Sequence, residues 1–481
     1  MLGDNSKVVK AGIGYTISNY FVKGLTFLTI PIFTRLMSTS DYGLYSTFTA
    51  YENILFIFSG LAIHTSYKNA RYKYGIPSEG VDQGKDYNSY VSVTMLMIVI
   101  NSILMLIIAN LFSESIGNIL ELERLPLNLL ILYSAASAII TCFNADVALK
   151  YQFRSFLKIS AVNAIGNILL SIILVLTIFS ENRYIGRILG STIPICGVAV
   201  FILIKYIKVA RPQNGRAFLK WGINYSLPII PHGVSQVILS QFDRIMIKKM
   251  IGDSVAGIYS FAYNIYTIIS VTIQSLDNVW NTWFYEQMNK NNYDEIKEKS
   301  GLYMLGMLTF TSVLMLISPE IIKLLGPEEY WEASYCVVPI VAGGFFSYLY
   351  TLPSAIEYYH EKTKYIAVGT MSAALINIVL NLISIKRYGY VSAAYTTLVT
   401  YLLWFIFHYV LAWKIQGKCL FSNKIVLFCT GFILFLNFIV ICFINNVWLR
   451  LVLALIIFII ALYYEEKKIG FASIIARKII K

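Results

Sequence analysis

Apolar stretches long enough to cross a bilayer recur fourteen times along the 481 residues, each closed off by a more polar segment. A helix needs about 20 such residues to pass roughly 30 Å of hydrocarbon. The stretches are residues 11–33, 42–63, 89–112, 125–149, 156–179 and 186–206, then 221–242, 255–276, 301–322, 333–356, 365–385 and 389–413, and finally 424–444 and 447–464. In lipid the backbone polar groups must be satisfied within the segment, so runs of this length predict helices. Composition agrees: 57% of residues are hydrophobic and 14% charged, too few charges to coat soluble domains of this total length. The expected fold class is an all-α membrane protein of about 14 transmembrane helices.

The formal charge of +13 would suggest a nucleic-acid partner in a soluble chain. Here the basic residues gather between apolar stretches and read as cytoplasmic anchors, with no nucleic acid implied. Counting residues at span edges with the neighbouring segment, 27 of the 39 Lys and Arg fall on the side of the termini and 11 on the other. Lys23 alone lies well inside a span. The positive-inside rule therefore places both termini in the cytoplasm. Two of the inside segments are long, 64–88 and 277–300, and Trp280, Trp283 and Phe284 give the second the look of an interfacial helix. The polar N-terminus leads into an apolar run too long for a signal-peptide core, so the first span is expected to stay attached. All six cysteines stand singly, without CxxC or a neighbouring His cluster, and imply neither zinc nor disulfides.

Shifting the chain by 214 residues sets Asp41-Tyr42-Gly43-Leu44-Tyr45-Ser46 on Val255-Ala256-Gly257-Ile258-Tyr259-Ser260. A weaker echo sets Lys158-Ile159-Ser160-Ala161-Val162 on Lys364-Tyr365-Ile366-Ala367-Val368, at the fifth span of each set of six. An even number of spans per repeat gives both halves the same orientation, related by an axis along the membrane normal. The expected organisation is an N-terminal six-helix lobe (1–210) and a C-terminal one (211–413) around a central cavity, followed by two extra helices and a basic cytoplasmic tail (414–481).

With Thr34-Arg35-Leu36-Met37 and Tyr42-Gly43-Leu44-Tyr45, Asp243-Arg244 before Gly257-Ile258-Tyr259-Ser260, and Asn377-Ile378-Val379-Leu380-Asn381 before Gly389-Tyr390-Val391-Ser392-Ala393-Ala394, the chain resembles the multidrug/oligosaccharidyl-lipid/polysaccharide exporter superfamily. Within it the likeness is to Wzx-type flippases of O-antigen and capsule assembly. That resemblance implies two lobes alternating between inward-open and outward-open states, carrying a polyprenyl-pyrophosphate-linked oligosaccharide across the bacterial inner membrane. Many relatives carry Trp followed by Pro after span eight. Here Trp280-Asn281-Thr282-Trp283 has no proline.

Such a cargo needs cations for its pyrophosphate and aromatic faces with hydroxyls for its sugars, so ionisable residues at mid-span come first. Lys23 sits near the centre of span one, and Glu52 lies at matching depth in span two, about 16 Å from the outer face. Two readings stay open: an ion pair tethering the two spans, or Lys23 as a headgroup contact with Glu52 restraining it or carrying a proton. Lys150 and Arg154, beside Asp146 at the turn between spans four and five, are candidates to receive an arriving anionic headgroup. For coupling or gating the candidates are His232 in proline-kinked span seven (Pro228, Pro231), the outer Asp243-Arg244 cluster followed by Lys248-Lys249, and Arg35. His408 in span twelve is a lesser titratable candidate, and Asp277, Glu357 and His360 mark the inner mouths of spans eight and ten.

No GxxxxGK[ST], HExxH or GxSxG motif occurs, and Gly80-Val81-Asp82-Gln83-Gly84-Lys85-Asp86 has the wrong spacing for a phosphate loop. The chain reads as a non-enzyme without cofactor, coupled to H+ or Na+. Its expected partners are a lipid-linked oligosaccharide, membrane lipid and the polysaccharide polymerase and chain-length machinery. A cation-coupled multidrug antiporter of the same superfamily is the alternative, with a membrane polymerase or ligase behind it.

Overall fold

The structure, a computed structural model, describes residues 2–75 and 85–469. Most of the near-miss glycine segment and the last basic residues of the tail lie outside them. The described residues form helices and no strands. In chain order these are α1 (Leu2–Leu36), α2 (Thr39–Gly60), α3 (Tyr67–Tyr74), α4 (Lys85–Leu111), α5 (Ser113–Leu120), α6 (Arg124–Leu149), α7 (Phe153–Leu176), α8 (Arg183–Val209), α9 (Gly215–Ser226) and α10 (Ile230–Met250). Then follow α11 (Asp253–Asn289), α12 (Tyr293–Leu325), α13 (Ala333–Tyr359), α14 (Thr363–Tyr388), α15 (Val391–Gln416), α16 (Asn423–Cys442) and α17 (Val447–Ile469).

Eleven of these, α4, α6, α7, α8 and α11 to α17, are long and apolar enough to cross a bilayer. The other three expected spans fall on α1, α2 and the α9–α10 pair. Local chemistry sets the boundaries. Ser38 caps α2 by accepting from the Asp41 N–H at 3.1 Å, and the helix stops where Leu61 turns left-handed. Span seven breaks where Pro228 and Pro231 were expected to kink it: α9 ends at Ser226, a 3-10 turn covers Leu227–Ile229, and α10 starts at Ile230. The two segments read as long inside loops prove shorter. Residues 67–74 of the first are helix α3, and most of the second is absorbed into α11, which runs to Asn289 before α12 opens at Tyr293. Trp280 and Phe284 are buried along that extension, with Tyr303 of α12 at 5.3 Å from Trp280, so the cluster is core and not an interfacial helix.

The contacts divide the chain into two compact units, Met1–Gly257 and Ile258–Lys481. In the first, α6 packs against α2, α4 and α8, α7 against α1 and α8, and α2 against α10. One end of this unit is an aromatic core of Tyr67, Tyr90 and Phe218, with Tyr74 and Trp221 laid against it. In the second, α13 is the central helix: 83% of its apolar window is buried, because it is apolar on all sides and flanked by α12, α15 and α16. α14 covers α15, while α16 and α17 lie on α12.

The repeated segments meet inside the first unit. A Cβ on Gly43 would overlap the Asp253 carbonyl, and one on Gly257 would overlap the Thr39 carbonyl. Only glycine allows the first turns of α2 and α11 to approach this closely. The hydroxyls of Thr39 and Ser254 join them at 2.6 Å.

Candidate functional site

Within the first unit, Lys23 is half-buried on α1 and Glu52 is 8% exposed on α2. Ser137 of α6 hydrogen-bonds the Glu52 carboxylate, whose Oε1 is buried without a hydrogen-bond partner. That unsatisfied oxygen, set among apolar helices, can accept a donor or a cation.

A second buried charge of this unit was counted with a flanking segment at the level of sequence. Arg187, one turn into α8, is 8% exposed. Its Nη1 donates to Asn167 Oδ1 at 2.5 Å and Ser171 Oγ at 2.6 Å, both on α7. Its guanidinium plane covers Phe33 of α1 at 3.9 Å and Tyr45 of α2 at 4.7 Å. Aromatic faces and neutral acceptors thus hold this cation. Position near a helix end hid it, since a residue there ordinarily reaches water.

The basic cluster at the end of α10 is explained by what it touches. Lys248 is buried, at 3.2 Å from Glu121 and 3.9 Å from Asp253. Its Nζ also donates to the Glu121 carbonyl at 3.3 Å, and Lys249 donates to the Ile119 carbonyl at 2.5 Å. These carbonyls close α5, and cations suit the negative end of a helix. Asp243 is buried and Arg244 hydrogen-bonds Gln241. Arg35 is exposed and donates to the Pro31 carbonyl at 2.9 Å.

Where α6 ends, Asp146 is wholly buried and its Oδ2 accepts from Lys150 at 2.8 Å and from the Tyr206 hydroxyl at 2.5 Å. Lys150 also donates to Asn88 Oδ1 at 3.1 Å and lies over the rings of Tyr87 and Tyr206. Lys150 is therefore engaged within the unit, whereas Arg154, one turn on, is exposed. Replacing Asp146 with alanine leaves the Lys150 ammonium without its carboxylate, and we expect a loss of about 2 kcal/mol, measured as a lower thermal midpoint of the detergent-solubilised protein.

His232 stands half-buried in the first turn of α10, just beyond the proline break, and its Nδ1 has no hydrogen-bond partner. The break itself frees backbone groups beside it.

The second unit carries polar groups that the sequence left scattered. Glu357 of α13 and His408 of α15, 51 residues apart, are both fully buried and meet at 2.6 Å through Oε1 and Nδ1. On α14, Asn377 donates to Thr397 at 3.3 Å and Asn381 donates to Asn377 at 3.1 Å, while Thr396 donates to Asn381. Arg450 of α17, also counted with a flank, is buried and gives Nη1 and Nη2 to the two oxygens of Glu320 on α12 at 2.5 Å each. Its Nη1 also reaches the Leu316 carbonyl at 2.8 Å. Among the described residues, no group of three or more His, Cys, Asp or Glu is placed to hold a metal ion.

This arrangement of helices is shared with solved transporters. The lipid II flippase MurJ in an inward closed conformation superposes with a TM-score of 0.68 at 17% identity, over 98% of this chain and 100% of that one. A multidrug resistance MATE family transporter of the MOP superfamily, inward-facing, gives 0.58 at 13% identity, over 84% and 96%. The chain thus shares its fold with both of these proteins. A protein of the Lsg locus of Haemophilus influenzae is 21% identical over 388 residues, covering 77% of this chain and 89% of its own length. The chain belongs to the family described as polysaccharide biosynthesis protein, which matches residues 8–280.

Proposed function

We propose that the protein is a flippase that moves a polyprenyl-pyrophosphate-linked oligosaccharide, a repeat unit of O-antigen, capsule or exopolysaccharide, across the bacterial cytoplasmic membrane by alternating access. The observation that carries this reading is coverage. The flippase fold matches 98% of the chain, α16 and α17 included, whereas the MATE fold matches 84%. Two further features support it. Lys23, Arg187 and Glu52 place charge within apolar helices of the first unit, where a phosphorylated headgroup needs replacements for water. Between α12, α16 and α17 the second unit holds a cavity of about 580 Å³ lined by Leu305, Leu308, Phe428, Phe432 and Ile457, with Lys424 and Tyr464 among its polar groups, suited to a prenyl chain.

In this reading both termini are cytoplasmic, Lys23 contacts the pyrophosphate, and Glu52 restrains it. Arg154 is an exposed cation on the side where cargo arrives, with Lys150 held by Asp146. Arg35, Asp243 and Arg244 belong to the outer gate, and His232 rides on the hinge of span seven. Transport uses the H+ or Na+ gradient, and polymerase and chain-length proteins act on the delivered cargo.

Deleting the gene is expected to abolish surface polymer and leave drug resistance unchanged. A normal polymer with new drug sensitivity would establish the antiporter instead. Lys23→Ala is expected to reduce polymer roughly tenfold at normal protein abundance, the effect of about 1.4 kcal/mol of lost headgroup binding. Lys23→Glu with Glu52→Lys separates the roles. Recovered abundance without transport marks a headgroup contact, and recovered transport marks a tether.

A further inference from the structure

The Glu357–His408 pair of the second unit leaves hydrogen-bonding capacity unused on both partners. Both side chains are fully buried, and each has a second heteroatom, Glu357 Oε2 and His408 Nε2, without a hydrogen-bond partner. A packing histidine ordinarily satisfies both ring nitrogens. Here the imidazole Nε2 faces the backbone of α14 at Gly369, where any side chain would strike it. On the ring's other sides lie Tyr350, at 4.8 Å, and Trp404, at 6.1 Å, themselves stacked at 3.6 Å.

Charge arithmetic gives this pair two states. With one shared proton on the Nδ1–Oε1 contact, the pair carries a net charge of −1 in a dry interior. A second proton, taken at Nε2 or Oε2, makes it neutral overall. Burial penalises net charge, so the loaded state suits the closed interior and the unloaded state suits contact with water. Among the described residues, no Lys or Arg bonds either member of the pair. From α13 the neighbouring titratable groups are Tyr350 and Tyr358, and from α11 Asp277. From α12 and α16 come Tyr303 and Cys429, beside Tyr348. α14 contributes Gly369. Just beyond the end of α13, His360 bonds Gln416, the last residue of α15, at 2.6 Å, so a further imidazole stands at the ends of the two helices.

We propose that Glu357 and His408 form a proton-binding site of the second unit, loaded while buried and discharged when the α13–α15 seam is wetted, and that this exchange drives transport. The inference rests on the transporter reading above.

Trp404 provides the readout, since a charged imidazole beside an indole quenches its emission. The full-length protein in liposomes should show a fluorescence step as pH is varied. The step should vanish in Trp404→Phe, in His408→Gln and in Glu357→Gln. In cells, His408→Gln and Glu357→Gln should accumulate normally and lose at least tenfold in surface polymer. A profile without a step in the wild-type protein, or an unchanged step in either glutamine variant, overturns the site. If neither variant accumulates, the comparison of wild type with Trp404→Phe decides. Full polymer export by an abundant Glu357→Gln variant overturns the driving role. If gene deletion leaves polymer intact while the step persists, the cargo reading fails and the proton site stands.

Discussion

Arg450→Ala is expected to be among the most damaging single changes outside the transport path, lowering stability by about 3 kcal/mol. The guanidinium is buried and makes three bonds to α12, two to Glu320 and one to the Leu316 carbonyl. Truncation leaves the Glu320 carboxylate, itself 28% exposed, without a partner among apolar helices, and leaves a hollow where α17 met α12. The measurement is the thermal midpoint of the solubilised protein. Arg450→Met combined with Glu320→Gln should recover most of the loss, because it removes both charges and keeps the volume. A midpoint unchanged in Arg450→Ala would show that packing alone holds the C-terminal helices.

Valine at Gly43 is expected to produce a comparable loss, about 3 kcal/mol or failure to accumulate. The obstacle is the Asp253 carbonyl, a backbone atom that cannot rotate aside. Gly257→Val meets the Thr39 carbonyl and should behave alike, whereas valine at Gly24, which faces no atom within 4 Å, should be tolerated. Abundance of the three variants in membranes checks this. Normal levels of Gly43→Val would mean that the first turns of α2 and α11 can part without cost.

The sequence-level reading located the helices because hydrocarbon thickness imposes a length that any chain must meet. It failed where burial is supplied by protein and not by lipid. The extension of α11 through Asp277, Gln287 and Asn289 is amphipathic, so its polar face read as a loop although Trp280 and Phe284 lie in the core. Arg187 and Arg450 were hidden for a related reason. A charge one turn from a helix end is normally solvated, and only packing by Phe33 and Tyr45, or by Glu320, shows otherwise. Lys23 and Glu52 were visible because mid-span charge is rare. The pairing of Glu357 with His408 was not, since periodicity along one helix does not report which helix lies opposite.

Span seven has a consequence for how the chain is made. Neither α2 nor α10 is among the helices apolar enough to enter lipid unaided, and α10 also starts from a proline break. Each packs on the other. On translocon energetics, a polar segment enters the membrane when a partner shields it. The ribosome releases α2 some 170 residues before α10 appears, an interval readable from the distance between Gly60 and Ile230. Integration of the second helix therefore finishes late, and nascent chains cut short before α10 should hold α2 poorly, leaving it accessible to proteases and to quality control.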